Sequence, residues 1–129
     1  MRQKEASFTK GERLCGVRAI SDLFSAGRAL YLPPLRIIYQ IMPEDSPLEP
    51  VRVLVSVPKR NFKKAVDRNL IKRRVKEAYR KNKTPLIKSL IASNRRIDLA
   101  ILWVDDAIQS YDIAERCIKE MIGKLSHLV

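Results

Sequence analysis

Residues 97–104, IDLAILWV, form a near-continuous apolar run. A run of this length and composition belongs to a strand buried in the middle of a sheet. A chain of 129 residues can bury one real core, not two, so the other elements must be layered around that strand. Residues 51–57, VRVLVSV, make a second strand with valine or leucine at most positions. Between the two strands, residues 63–81 contain no Gly or Pro and are mostly good helix formers. Thr84 followed by Pro85 has the character of an N-cap and first helical position for a short helix, PLIKSLIAS. A strand, a helical crossover and a second strand predict a parallel pair.

Upstream, Val17, Ile20, Leu23 and Phe24 fall at helical spacing, and Gly27 is placed to stop that helix. Pro33 and Pro34 exclude a helix where they stand. Residues 35–42 are β-rich and predict a strand, with residues 28–32 a candidate short edge strand. PEDSPLEP is a polar, Pro-rich loop carrying Glu44, Asp45 and Glu49. Residues 112–128 close the chain as an amphipathic helix, with Ile113, Cys117, Met121 and Leu125 on one stripe. The order is α-β-β-α-α-β-α: a compact single-domain α/β sandwich over residues 1–129, with a small mixed sheet and residues 1–9 as a flexible arm.

The charge is concentrated. The chain carries +12 at pH 7 with a pI near 10.1. Residues 59–83 hold twelve of its Lys and Arg against only Asp67 and Glu77. Lys64, Arg68, Lys72, Lys76 and Arg80 follow at strict four-residue spacing, a row that drifts ~40° per step around a helix. Asn69 and Arg73 lie beside it, and Val66, Ile71, Val75 and Ala78 form an opposing apolar face for the sheet. Each like-charge pair at this spacing costs ~0.2–0.5 kcal/mol. A phosphate backbone would relieve the repulsion and gain entropy by releasing counterions. Membrane-surface helices expose large apolar side chains, whereas the apolar face here is small and aliphatic, so RNA or DNA is the better-matched polyanion.

Catalytic machinery is not apparent. His127 is the sole histidine, near the chain end, with no Ser, Cys or Asp arranged to use it. Asp105 and Asp106 suit a strand end and turn better than a metal site. There is no Gly-rich phosphate loop and no carboxylate cluster of the kind a metal-dependent nuclease needs. Cys15 and Cys117 sit among apolar neighbours, as buried reduced thiols do. No apolar run approaches the ~20 residues that span a bilayer, and no secretory signal is present; the expected location is the cytoplasm. Catalytic residues, metal ligands and protein-bound cofactors are expected to be absent.

Residues 65–80, AVDRNLIKRRVKEAYR, closely resemble the signature of the bacterial ribonuclease P protein component. Lys59 and Arg60 fit its basic pair, and Arg13, Leu14 and DLFSAG (residues 22–27) fit its first helix and turn. The resemblance spans roughly residues 13–125. It departs in two places: the family's Arg-Asn-Arg reads Arg68-Asn69-Leu70, with Arg74 a candidate for the missing cation, and a strand glycine is replaced by Leu54. The resemblance implies an α-β-β-β-α-β-α fold with a left-handed crossover, against the usual hand. It implies an accessory subunit that binds a catalytic RNA and precursor tRNA, with no membrane or DNA partner. The RNA, with Mg2+, would remove the 5′ leader. Lys64, Arg68, Asn69, Lys72, Arg73, Lys76 and Arg80 would meet the catalytic RNA. Arg13, Ile20, Phe24, Ile37, Tyr39 and Lys59 would line the leader cleft, with Ile37 and Tyr39 on one face of their strand. Trp103 is expected in the core. The alternative is a non-catalytic RNA-binding module associated with ribosomes or the nucleoid.

Overall fold

The computed structural model describes residues 13–14, 16–43 and 49–129. These residues form, in chain order, α1 (Val17–Ala26), β1 (Arg28–Leu32), β2 (Leu35–Pro43), β3 (Val51–Ser56), α2 (Ala65–Asn82), α3 (Thr84–Ser93), β4 (Arg95–Trp103) and α4 (Tyr111–Leu128). The four strands make one mixed sheet in the order β1-β2-β4-β3. The apolar run lies on β4, which is flanked by β2 running antiparallel and β3 running parallel. The parallel pair is the one expected from the strand–crossover–strand pattern. The candidate edge strand is real: β1 pairs antiparallel with β2 through a turn at Pro33 and Pro34.

Alternation along β4 sorts its side chains between two layers. Ile97, Leu99, Ile101 and Trp103 join Ile71, Val75, Tyr79, Leu86, Leu90, Ile118, Met121 and Leu125 in the main core, under α2, α3 and α4. Ala100 points the other way and packs with Ile38, Leu14 and Leu23, under α1. Both faces of β4 are thus covered, which is why its sequence is apolar at nearly every position. Trp103 is core as expected, its indole Nε1–H donating to the Ala107 carbonyl at 3.2 Å.

Element ends follow local chemistry. Gly27 stops α1, its N–H donating to the Leu23 carbonyl at 2.8 Å. A side chain at Gly27 would run into that carbonyl and would lie 2.9 Å from Ile38 Cγ2, so only glycine lets α1 turn so closely onto β2. Asn94, in the left-handed region at φ 54°, ends α3. Thr84 is not the N-cap: helix α3 begins at Thr84 itself, with Lys83 in the cap position and in helical conformation. A single residue therefore joins α2 to α3. That residue, Lys83, is fully buried, with its Nζ 5.9 Å from the centre of the Tyr79 ring. Helix α4 starts where Ser110 Oγ accepts from the Ile113 N–H at 3.4 Å. On its expected stripe Cys117, Met121 and Leu125 are buried and Ile113 half-buried. Cys15, Glu44, Asp45 and the expected arm at residues 1–9 lie outside the described residues.

Candidate nucleic-acid interface

Helix α2 buries Ile71, Val75, Ala78 and Tyr79. That face fixes which cations are free to meet a partner. At roughly 100° per residue, Val66 lies about 140° from Ile71 around the helix, and it is 74% exposed. Val66 therefore does not belong to the apolar face, contrary to the expectation from sequence. The row Lys64, Arg68, Lys72, Lys76, Arg80 is also not a straight ridge. Its members drift by ~40° per step around the helix: Lys64, at the N-cap, and Lys76 are exposed, while Arg68, Lys72 and Arg80 are half-buried. The stripe that faces solvent along the helix is Val66, Asn69, Arg73, Lys76 and Arg80, of which the first four are exposed.

Several cations serve the protein itself. Arg68 Nη1 donates to the carbonyls of Phe62 and Lys63 at 2.6 and 3.0 Å, tying the loop to the start of α2. Arg80 chelates Glu77, with Nη2 2.6 Å from Oε2. That hydrogen bond holds the Glu77 carboxyl below its ordinary value. Arg74 Nη1 donates to the Gln109 carbonyl at 2.6 Å. Arg74 is thus committed to the loop before α4 and does not replace the cation missing at Leu70. Lys63, Lys64, Arg73 and Lys76 are exposed, as are Lys59 and Arg60 on the turn after β3.

The second expected surface splits in two. Ile20 packs against the small cluster beneath α1, and Phe24, on the same helix, is 47% exposed. Ile37 is 0% exposed within the main core, and Tyr39 packs against that core. Ile37 and Tyr39 do share a face, but it is the face under α2 and α4, opposite to Ile20 and Phe24. The cause is register: Ile38, not its neighbours, points at α1, and a shift of one residue moves every side chain across the sheet. A fully buried Ile37 cannot meet a ligand without opening the core. Arg13 is exposed beside the outer strand, bridging Val53, and the Leu14 N–H donates to the Val53 carbonyl at 2.8 Å.

Pairing register assigns the α1 face row by row. Tyr31, Arg36, Leu102 and Ser56 stand abreast across all four strands. Beneath α1 the next row is Ala29, Ile38, Ala100 and Leu54, so the family's strand glycine is replaced by a residue packed against the α1 cluster. The following row is Gln40, Asp98 and Arg52. Asp98 accepts from Arg52 Nε and Nη2 at 3.0 and 2.9 Å and from Arg96 Nη1 at 3.1 Å. Sequence reasoning missed this buried ion cluster. The signal was an acid inside an apolar strand, which needs charged partners to be tolerated.

No three His, Cys, Asp or Glu side chains among the described residues are grouped to hold a metal ion. Asp105 lies two residues past the end of β4, accepting from Gln109 Nε2 at 2.7 Å, and this bond lowers its pKa. His127 is exposed near the end of α4. No helix among the described residues is long and apolar enough to cross a membrane.

An α/β sandwich with exposed cations along one helix defines a small, basic α/β protein. Known proteins give the class a family. The profile described as Ribonuclease P matches residues 8–123. The ribonuclease P protein component of Porphyromonas gingivalis is 33% identical over 118 residues, covering 92% of this chain and 85% of that protein. The component from Chlorobaculum tepidum is 38% identical over 124 residues, covering 90% and 80%. The solved ribonuclease P proteins of Staphylococcus aureus and Thermotoga maritima share the fold, with TM-scores of 0.67 and 0.66 at 16% and 18% identity. They cover 89% and 88% of this chain, and 94% and 96% of their own. The chain belongs to the ribonuclease P protein family, as a protein component of that endoribonuclease.

Proposed function

We propose that this chain binds the catalytic RNA of ribonuclease P along α2 and receives the 5′ leader of precursor tRNA on the α1 face of its sheet. The observation that carries this reading is the solvent stripe of α2, where Arg73 and Lys76 have no ion-pair partner among the described residues. Lys63, Lys64, Lys59 and Arg60 continue the positive surface into the preceding loop. Lys72 flanks the stripe. Arg68 and Arg80 add charge while already engaged, and Asn69 offers an uncharged donor between them. Such cations read backbone charge and fix orientation rather than sequence.

On the leader side, Phe24 and Ile20 offer an apolar edge, with Arg13 and Lys59 supplying charge. Ile37 and Tyr39 are left out of this surface by the register of β2. In this reading the chain contributes position and charge compensation. In the same reading hydrolysis of the phosphodiester belongs to the RNA with its Mg2+ ions.

Reconstitution tests it. Adding the purified chain to the ribonuclease P RNA of the same organism at low Mg2+ should restore precursor tRNA cleavage. The chain alone should cleave nothing. Cleavage by RNA-free protein, or no gain on adding the protein to the RNA, contradicts the proposal.

A further inference from the structure

The end of the sheet beyond α1 holds a concavity of about 380 Å³, within the size range of sites that take small ligands. Tyr31, Pro34, Val104 and Ile113 wall it, and Asp105 and Gln109 supply its polar groups. Tyr31 is 65% exposed, so its ring is open to a partner. Directly across from Tyr31 in the β1–β2 ladder is Arg36, also exposed. Arg36 has no ion pair among the described residues, so a cation stands beside the open ring.

The polar side of the concavity is built in advance. Gln109 Nε2 donates to Asp105 Oδ2. That bond fixes the amide, because the flipped form would set its oxygen against the carboxylate. Gln109 Oε1 and the second N–H are then both available. The loop itself is pinned from three sides. Arg74 holds the Gln109 carbonyl, Asn61 Nδ2 reaches the Asp105 carbonyl at 3.3 Å, and Trp103 holds Ala107. Two of these three anchors come from the basic segment.

We propose that this pocket is a nucleobase subsite for an unpaired nucleotide of the precursor tRNA leader. The base would stack on Tyr31, Gln109 would meet its edge, and Arg36 would meet its phosphate. The proposal rests on the leader reading above and extends it to the sheet edge. Base stacking on an aromatic beside a cation is the usual chemistry of single-strand RNA capture. Gln109 presents an acceptor and a donor side by side, a pair that every base edge can match, so the subsite should tolerate any sequence. The row from Ser56 to Tyr31 crosses three strand spacings of ~4.8 Å, or about four stacked nucleotides at ~3.4 Å each. In this proposal the captured nucleotide lies upstream of those near Phe24 and Lys59.

The test uses the reconstituted holoenzyme and precursor tRNAs with leaders of about three and about ten nucleotides, the difference exceeding the row's span. Tyr31→Ala should weaken binding of the long-leader substrate by about fivefold or more, and leave the short-leader substrate and mature tRNA unchanged. Tyr31→Phe should bind like the parent. A long leader with abasic upstream nucleotides should bind weakly to the parent and no more weakly to Tyr31→Ala. Equal losses at both leader lengths, no loss at either, or a Tyr31→Ala loss that persists on the abasic leader would overturn the subsite. Phe24→Ala on the short leader reports on the underlying reading. If it weakens binding while Tyr31→Ala is silent, only the subsite falls. If neither variant matters in a holoenzyme that assembles normally, the leader reading itself falls.

Discussion

Asp98 holds two guanidinium groups beneath α1, and both it and Arg96 are buried. Removing the carboxylate would take away the counter-charge against which the buried Arg96 guanidinium sits. Breaking a buried ion pair from one side costs about 3–5 kcal/mol. Asp98→Ala is therefore expected to destabilise the protein by about that amount in urea unfolding. A loss under about 1 kcal/mol would put the cluster in the weak class of solvent-screened pairs. Cys117 makes a different kind of residue-level prediction. Burial raises its thiol pKa, and its Sγ–H donates to the Pro33 carbonyl at 3.3 Å. The neutral thiol should resist alkylation in the folded protein and react once denaturant unfolds it. Peptide mapping that finds rapid Cys117 modification under native conditions would contradict this placement.

Helix α2 works on both of its sides. Its outer stripe should bind RNA through charge, so Arg73→Ala and Lys76→Ala should each lower affinity for the catalytic RNA. Each should also reduce the slope of log K against log salt by ~0.7–0.9. Unchanged slopes in folded variants would place the RNA elsewhere. The inner side meets α4 at Glu115, whose Oε2 accepts from Asn82 Nδ2 and from the Tyr111 hydroxyl, each at 3.2 Å. The Asn82 bond, ahead of nearby lysines, lowers the Glu115 pKa from 4.5. A carboxylate with a depressed folded-state pKa stabilises the fold above its unfolded value and loses that contribution as pH falls. Glu115→Gln should therefore reduce the fall in thermal stability between neutral pH and the acid side of 4.5. Identical acid limbs for parent and variant would show that the contact does not couple to folding.

At the scale of the whole molecule, the two surfaces predict separable defects. The α2 stripe should matter for assembly with the catalytic RNA whether or not substrate is present. The α1 face should matter only where a leader exists. Phe24→Ala should lower holoenzyme affinity for precursor tRNA, by about 1–3 kcal/mol if a base stacks there, and spare mature tRNA. Tyr39→Ala, on the other face, should instead lower thermal stability through lost packing. Competition binding with precursor and mature tRNA, beside unfolding curves, separates the two outcomes. A selective precursor defect in a stable Tyr39→Ala protein would mean that β2 presents the opposite face to the leader.

Much of this was legible in the chain itself. The apolar run at β4 demanded cover on both faces, the spacing of the strands predicted the parallel pair, and the charge density of residues 59–83 marked the basic helix. These features depend on local composition and periodicity. What tertiary structure decided was direction. Cations spaced by four residues look like one ridge, yet with Ile71, Val75, Ala78 and Tyr79 packed inward, Arg68, Lys72 and Arg80 are half-buried and Arg73 and Lys76 are exposed. Ile37 and Tyr39 alternate correctly, but which alternate face meets α1 depends on register against β1 and β4, distant in the chain. Arg52, Asp98 and Arg96 meet only because β3 and β4 lie side by side. Tyr31, Arg36 and Gln109 likewise come together through strand pairing and the docking of the loop before α4. A periodic pattern specifies a face up to rotation or inversion, and only contacts between remote segments choose among the alternatives.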